Sequence, residues 1–188
     1  SILQRHAEIQ AIEWLPKVTA AQLADFEKAV QAEGFADFKV KEYGANGQMR
    51  PVAPRAEYLP ILFVEPMAEN INIFGLDSAS QPLSLASKQQ ALKTGKPSVT
   101  QRIALAQRND LEPALLVSMP IFAKAGKPAK NAQTPLSGFI STVLLPARMM
   151  EMAMQGILKH NMAIQLTDLS APAGQTQLYS QPVVHPLN

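Results

Sequence analysis

The spacing of apolar positions changes several times along the chain, and each change marks an expected element. From Ile2 to Leu15, Ile2, Ile9 and Ile12 fall on one stripe, with Arg5, Glu8 and Glu13 toward water. That period predicts an amphipathic helix ended by Pro16. A second helix is expected from Thr19. Thr19 and Gln22 fit a capping box, Leu23, Phe26 and Val30 share a face, and Gly34 stops the run. The period then falls to two. Phe38 and Val40 alternate with Lys39 and Lys41, Asn46-Gly47 marks a tight turn, and Tyr58 to Val64 reads as a buried strand with Pro60 near its start. A short helix is expected over Met67 to Phe74, closed by Gly75. A longer one runs from about Gln81 to Lys93, with Ser80 as its cap, Pro82 in its first turn and Gly95 beyond its end. The remainder is mostly strand: Val99 to Leu105, Ala114 to Phe122 with Pro120 inside it, and Leu136 to Leu145. Ala125 to Pro135 has loop composition. A helix over Arg148 to Leu158 precedes last strands at Met162 to Thr167 and Gln177 to Ser180. Hairpin signals outnumber crossover signals, which predicts an α+β fold with a largely antiparallel sheet.

Composition narrows the function more than the fold. A chain of 188 residues with 47% hydrophobic and 17% charged residues can bury a core without staples. The net charge is only +2 and the basic residues are scattered, so no nucleic-acid partner is expected. The absence of cysteine removes disulfides, thiolate metal sites and a cysteine nucleophile, and is compatible with an oxidising compartment. His6, His160 and His185 lack ligand spacing, and no cofactor or metal is expected. Thr94-Gly95-Lys96 looks like a phosphate loop only in part. Gln90 stands where that motif needs glycine, and Pro97 where it needs Ser or Thr. No serine lies in a Gly-x-Ser-x-Gly elbow. Glu65, Glu69 and Asp77 lie close in sequence, but Pro66, Asn70 and Gly75 around them read as turns and caps. The residues therefore argue against an enzyme. The least polar stretch, Gln133 to Ala147, is too short and too interrupted to span a bilayer, so any membrane anchor is expected outside this chain.

One series of segments resembles a known family. It begins at Glu57-Tyr58-Leu59-Pro60-Ile61 and continues through Phe63-Val64-Glu65-Pro66, Gly75-Leu76-Asp77-Ser78, Thr94-Gly95-Lys96-Pro97 and Leu105-Ala106-Gln107. It closes with Met119-Pro120-Ile121-Phe122 and Ser137-Gly138-Phe139-Ile140. Each segment is weak, but their order and spacing together resemble the CHASE domain. Glu13-Trp14-Leu15-Pro16 upstream and Leu178-Tyr179-Ser180 downstream extend the likeness over nearly the whole chain.

The resemblance implies a non-catalytic sensor in the periplasm, part of an inner-membrane receptor, with flanking transmembrane helices outside this chain. Its cytoplasmic output would be a histidine kinase, a diguanylate cyclase or a nucleotide cyclase. The implied fold is a long N-terminal helix, then a PAS-like antiparallel sheet, then a second smaller PAS-like portion near the membrane. Residues 1–34 would form a helical stalk that dimerises with a second copy, 35–145 the ligand-binding portion, and 146–188 a linking helix and membrane-proximal strands. A small organic ligand would lie between the sheet and the segment Ile73 to Ser84. Phe63, Ile73 and Leu76 would line it, with Ala106, Leu116, Ser118, Phe139 and Ser141 from strands. Adenine-type cytokinins are ligands of related members. Ser84 stands where plant cytokinin receptors carry an acidic residue, and that departure weakens the case for an adenine-like guest. From the residues alone, Phe63, Leu116 and Phe139 read equally well as core, and Ser84 as a solvated helix residue. A contact module with a filled core is the rival reading, and a hydrolase a more distant one.

Overall fold

The first long element is a strand. A computed structural model describes residues 3–105, 112–123, 134–155 and 162–183. Its strands are β1 (Ile9–Pro16), β2 (Val18–Thr19), β3 (Lys41–Tyr43), β4 (Met49–Pro51), β5 (Glu57–Tyr58), β6 (Phe63–Glu65), β7 (Ser98–Val99), β8 (Leu115–Phe122), β9 (Leu136–Leu144), β10 (Ile164–Thr167) and β11 (Gln177–Gln181). Its helices are α1 (Leu23–Ala32), α2 (Met67–Asn70), α3 (Pro82–Thr94) and α4 (Pro146–Ala153). The main sheet has the order β6-β1-β9-β8-β7 and is antiparallel throughout. The fold is α+β, and no helix among the described residues is long and apolar enough to cross a membrane.

The expected helix over Ile2 to Leu15 is thus corrected: only Leu3–Arg5 makes a helical turn, and Ile9–Pro16 pairs with both β6 and β9. The reason lies in the pattern itself. Ala11, Glu13 and Leu15 face inward, whereas Ile12 and Trp14 point outward. A carboxylate in the inward set and large apolar groups in the outward set hide the two-residue alternation. Gly138 lets β9 lie close against β1. A Cβ there would come 2.2 Å from the Leu15 carbonyl oxygen, so a side chain would force the strands apart.

Other elements follow their local chemistry. The Gln22 side chain accepts from the Thr19 backbone N–H at 3.1 Å, and the helical turn Ala20–Gln22 leads into α1. Asn46-Gly47 makes the hairpin between β3 and β4. Pro120 sits where β8 has run past the short β7, a position that needs no donor toward that edge. Helix α3 starts with Pro82 at its first position, after Gln81 rather than Ser80, and ends at Gly95 with a positive φ of 65°. Phe38 and Val40 are buried but lie outside any strand, packed with Val30 and Phe74.

The segment from Ile73 to Ser80 is stitched down by its backbone. Gly75 donates to the Ile61 carbonyl at 2.8 Å, Ile61 to Leu76 at 2.9 Å, Asp77 to Lys41 at 2.8 Å and Ser78 to Leu59 at 3.0 Å. It leads directly into α3, whose buried face is Ser84, Ser87, Lys88 and Ala91 and packs against β8. On the sheet's outer face, Phe63, Ile140, Met119 and Val99 are exposed.

Candidate functional site

Strand register places one polar row across the middle of the inner face. Val64 of β6 pairs with Glu13 of β1, Glu13 with Ser141 of β9, Ser141 with Ser118 of β8, and Ser118 with Ser98 of β7. Apolar rows lie on both sides of it: Leu15 with Phe139 and Pro120, and Ala11 with Val143 and Leu116. All the residues of these two flanking rows are buried, so Glu13, Ser141 and Ser118 in the middle of the polar row are enclosed within the core.

Lys88 of α3 closes over this row. Its side chain is almost wholly buried, and its ammonium donates to Ser84 Oγ at 2.7 Å, Ser78 Oγ at 3.0 Å and Ser118 Oγ at 3.3 Å. An ammonium has three donors, and here three hydroxyls take them all. Ser118 and Ser141 share a further bond of 2.9 Å, as do Ser78 and Ser84 at 2.8 Å. The ammonium also lies 5.8 Å from the centre of the Phe139 ring, within cation–π range. Burial pulls the Lys88 pKa down to about 8, against the opposing pull of Glu13 and then Asp77. Taking one acceptor away tests the network. Ser118→Ala is expected to lower stability by about 1–2 kcal/mol in urea denaturation, the cost of an unmade buried hydrogen bond to a charge. An unchanged midpoint would mean that this bond carries no weight.

Glu13 differs from Lys88 in that the two meet only through charge, with no hydrogen bond between them. It is 4% exposed, and among the described residues its carboxylate accepts no hydrogen bond. Burial raises its pKa to about 7, and the charge of Lys88 only partly offsets this.

A second charged cluster holds the segment Ile73 to Ser84, the lid over the inner face of the sheet, from behind. Asp77, wholly buried, accepts from Leu59 N at 2.8 Å, Ala79 N at 3.1 Å and Arg55 Nη1 at 2.6 Å. The same guanidinium reaches Glu42 through Nη2, and Arg50 meets Glu42 at 2.7 Å. Arg55 N–H donates to Tyr58 Oη at 3.0 Å, so Arg55 and Tyr58 form a corner beside the sheet.

Between the lid and the sheet lies a cavity of about 380 Å³. Its floor is Glu13, Leu116 and Val143 from the sheet. Ile61, Ile73, Leu76 and Ser78 form one wall, and Gln81 to Ser84 at the start of α3 form the roof. Tyr43 and the stretch from Arg102 to Leu105 complete it. The lining is largely aliphatic with a few polar groups, the usual make-up of a small-molecule site.

Of the residues the sequence pointed to, Ile73, Leu76, Ser84 and Leu116 border this cavity together. Ser118 and Ser141 lie in the polar row next to it, and Phe139 lies beyond them in the flanking row, under Lys88. Phe63 is placed elsewhere: it is 61% exposed on the outer face of the sheet, because Val64 holds the inward position of β6. Ala106 lies outside the described residues, as do His160 and His185. Sequence reasoning missed Glu13 and Lys88, since single charged residues read as solvated by default. One signal was present: Ser84 and Lys88 are four apart on one helix, and therefore on one face.

The CHASE domain family model matches residues 1–179, nearly the full chain. The chain belongs to the CHASE domain family. Comparison with curated proteins finds no match. A CHASE domain is an extracellular sensory domain of membrane receptors, not a catalytic one. For this CHASE domain, the cavity, the lid and the buried row of Glu13, Lys88 and serines are the features a sensory role has to work with.

Proposed function

We propose that this CHASE domain is the periplasmic sensor of an inner-membrane receptor and that a small molecule binds beneath the segment Ile73 to Ser84. The cavity carries the reading: about 380 Å³ of mostly aliphatic space, bordered by a segment that backbone bonds pin from Gly75 to Ser78. A PAS-like role for the sheet fits this layout, with the guest held between the antiparallel strands and the helix across them. Ligand binding would favour one arrangement of the lid and of a paired subunit, and pass that bias to a histidine kinase or diguanylate cyclase beyond the membrane. Only a difference in affinity between the two arrangements can do this.

A thermal-shift screen across purines, amino acids, organic acids and amines tests the reading. Saturable stabilisation is expected from one class, equivalent to about 2.7 kcal/mol at a hundred times Kd. The Ile73→Trp variant, which fills the space with an indole, should abolish it. Stabilisation that survives Ile73→Trp, or none from any class, would remove the cavity from the account.

A second reading has its own support. Phe63, Ile140 and Met119 make an exposed apolar patch on the outer face, which suits a contact module that pairs with another protein surface. A dimer contact through residues 1–34 would not use a helix at Ile9–Pro16, because those residues are a strand inside the sheet.

A further inference from the structure

We infer that the cavity selects a small apolar molecule carrying a protonated nitrogen, and that Glu13 is the residue that receives it. The inference rests on the cavity being a ligand site and names the ligand's chemistry.

Three observations carry it. Glu13 borders the cavity, is nearly fully buried, and has no hydrogen-bond donor among the described residues. A carboxylate in that position is a vacant acceptor in an apolar wall, and an N–H bearing cation is the group that satisfies it best. Second, Lys88 cannot compete for an anionic guest, because all three of its N–H groups are committed to Ser78, Ser84 and Ser118. Third, counting protons on the serines leaves a donor. Ser78 and Ser84 each accept from Lys88, and the bond between them uses one of their two hydroxyl hydrogens. The other hydroxyl hydrogen remains, on a serine that borders the cavity. The site therefore offers one charged acceptor and one neutral donor across an aliphatic space. A guest with an ammonium at one end and a weak acceptor along its body matches both.

The charged groups around Glu13 are consistent with this. Lys88 faces it from α3 and is itself held in charged form by Glu13 first and by Asp77 second. Tyr43 borders the cavity from β3, and burial raises its pKa, which keeps it neutral. Arg102 borders it from the stretch after β7, where it is partly exposed and screened by water.

The test uses three probes of one shape on the 188-residue chain: 2-phenylethylamine, 2-phenylethanol and 3-phenylpropionate. Methyl resonances of Ile61, Ile73 and Leu116 report entry into the cavity. The amine is expected to bind at least about tenfold more tightly than the alcohol at pH 8, and the acid most weakly. The amine's affinity should fall about 30-fold from pH 8 to pH 5.5, because only ionised Glu13 is competent and the carboxyl protonates in between. Glu13→Gln should reduce the amine to the affinity of the alcohol at both pH values. Equal binding of all three probes, a preference for the acid, or an unaltered preference in Glu13→Gln overturns this inference and leaves the cavity as a ligand site. No methyl perturbation by any probe overturns both.

Discussion

Arg55→Ala is expected to destabilise the fold by about 3–5 kcal/mol in chemical denaturation at pH 7, the usual cost of stripping one partner from buried charges. The size follows from what is left behind. Glu42 and Asp77 are both buried, and Arg55 bridges them with its two terminal nitrogens. Without it Glu42 keeps Arg50, whose side chain is mostly exposed, and the Ala53 backbone N–H, while Asp77 keeps two backbone N–H groups. Arg55→Lys should recover only part of the loss, because a single ammonium cannot span two carboxylates as a planar fork does. The deficit also depends on pH. Burial alone would raise the pKa of Glu42, but hydrogen bonds from Arg50 and the charge of Arg55 outweigh it and hold the group below the usual carboxylate range. A folded pKa below the unfolded value gives stability that is present above about 4.3 and lost as pH falls through the folded value. The difference between wild type and Arg55→Ala should therefore shrink on acidification to pH 3. A variant as stable as wild type at pH 7 would show that Arg50 and the backbone suffice.

The same cluster explains why the lid sits where it does. Asp77, in the middle of the segment, ties it to Leu59 and to Arg55, and Ser78 with Ser84 ties the following stretch to Lys88. Just before these anchors, Ile73 and Leu76 wall the aliphatic cavity. Two buried charged systems along one segment hold that segment in place beside its cavity.

How much of this the sequence disclosed depended on how local the signal was. Helix α3 and the hairpin at Asn46-Gly47 were readable, because Pro82, Gly95 and the Asn-Gly pair act on their own backbone. Strands β8 and β9 were readable as β-rich runs. Strand β1 was not, because Glu13 points inward and Trp14 outward, and that inversion makes sense only once β6 and β9 are aligned on either side of it. The polar row is invisible for the same reason: its members are Glu13, Ser118 and Ser141, which are far apart in sequence and meet only through strand register. Phe63 failed as a cavity residue through phase. In a three-residue strand the inward place went to Val64, and the sequence held no marker of which neighbour would turn in.

Glu13 has a cost that can be measured directly, and the second large effect follows from it. A folded pKa of about 7 lies well above the unfolded value near 4.3, so between these the folded state binds more protons. The stability from a raised pKa is complete below the unfolded value and is lost as pH rises through the folded one. Ionised Glu13 thus costs about 3 kcal/mol at pH 8, from a shift of more than two units at 1.36 kcal/mol per unit. Glu13→Gln keeps the shape and removes the ionisation. It is expected to be more stable than wild type by about 3 kcal/mol at pH 8, because the raised pKa already includes the attraction of Glu13 for Lys88. At pH 5, where the wild-type carboxyl is protonated, the two should unfold at nearly the same urea concentration. A neutral amide at this position would then serve the fold better than the carboxylate does, and a residue kept at a loss to stability is one whose charge has another use. If Glu13→Gln is no more stable at pH 8, the carboxylate is already satisfied in the folded chain and has nothing to offer a cationic guest.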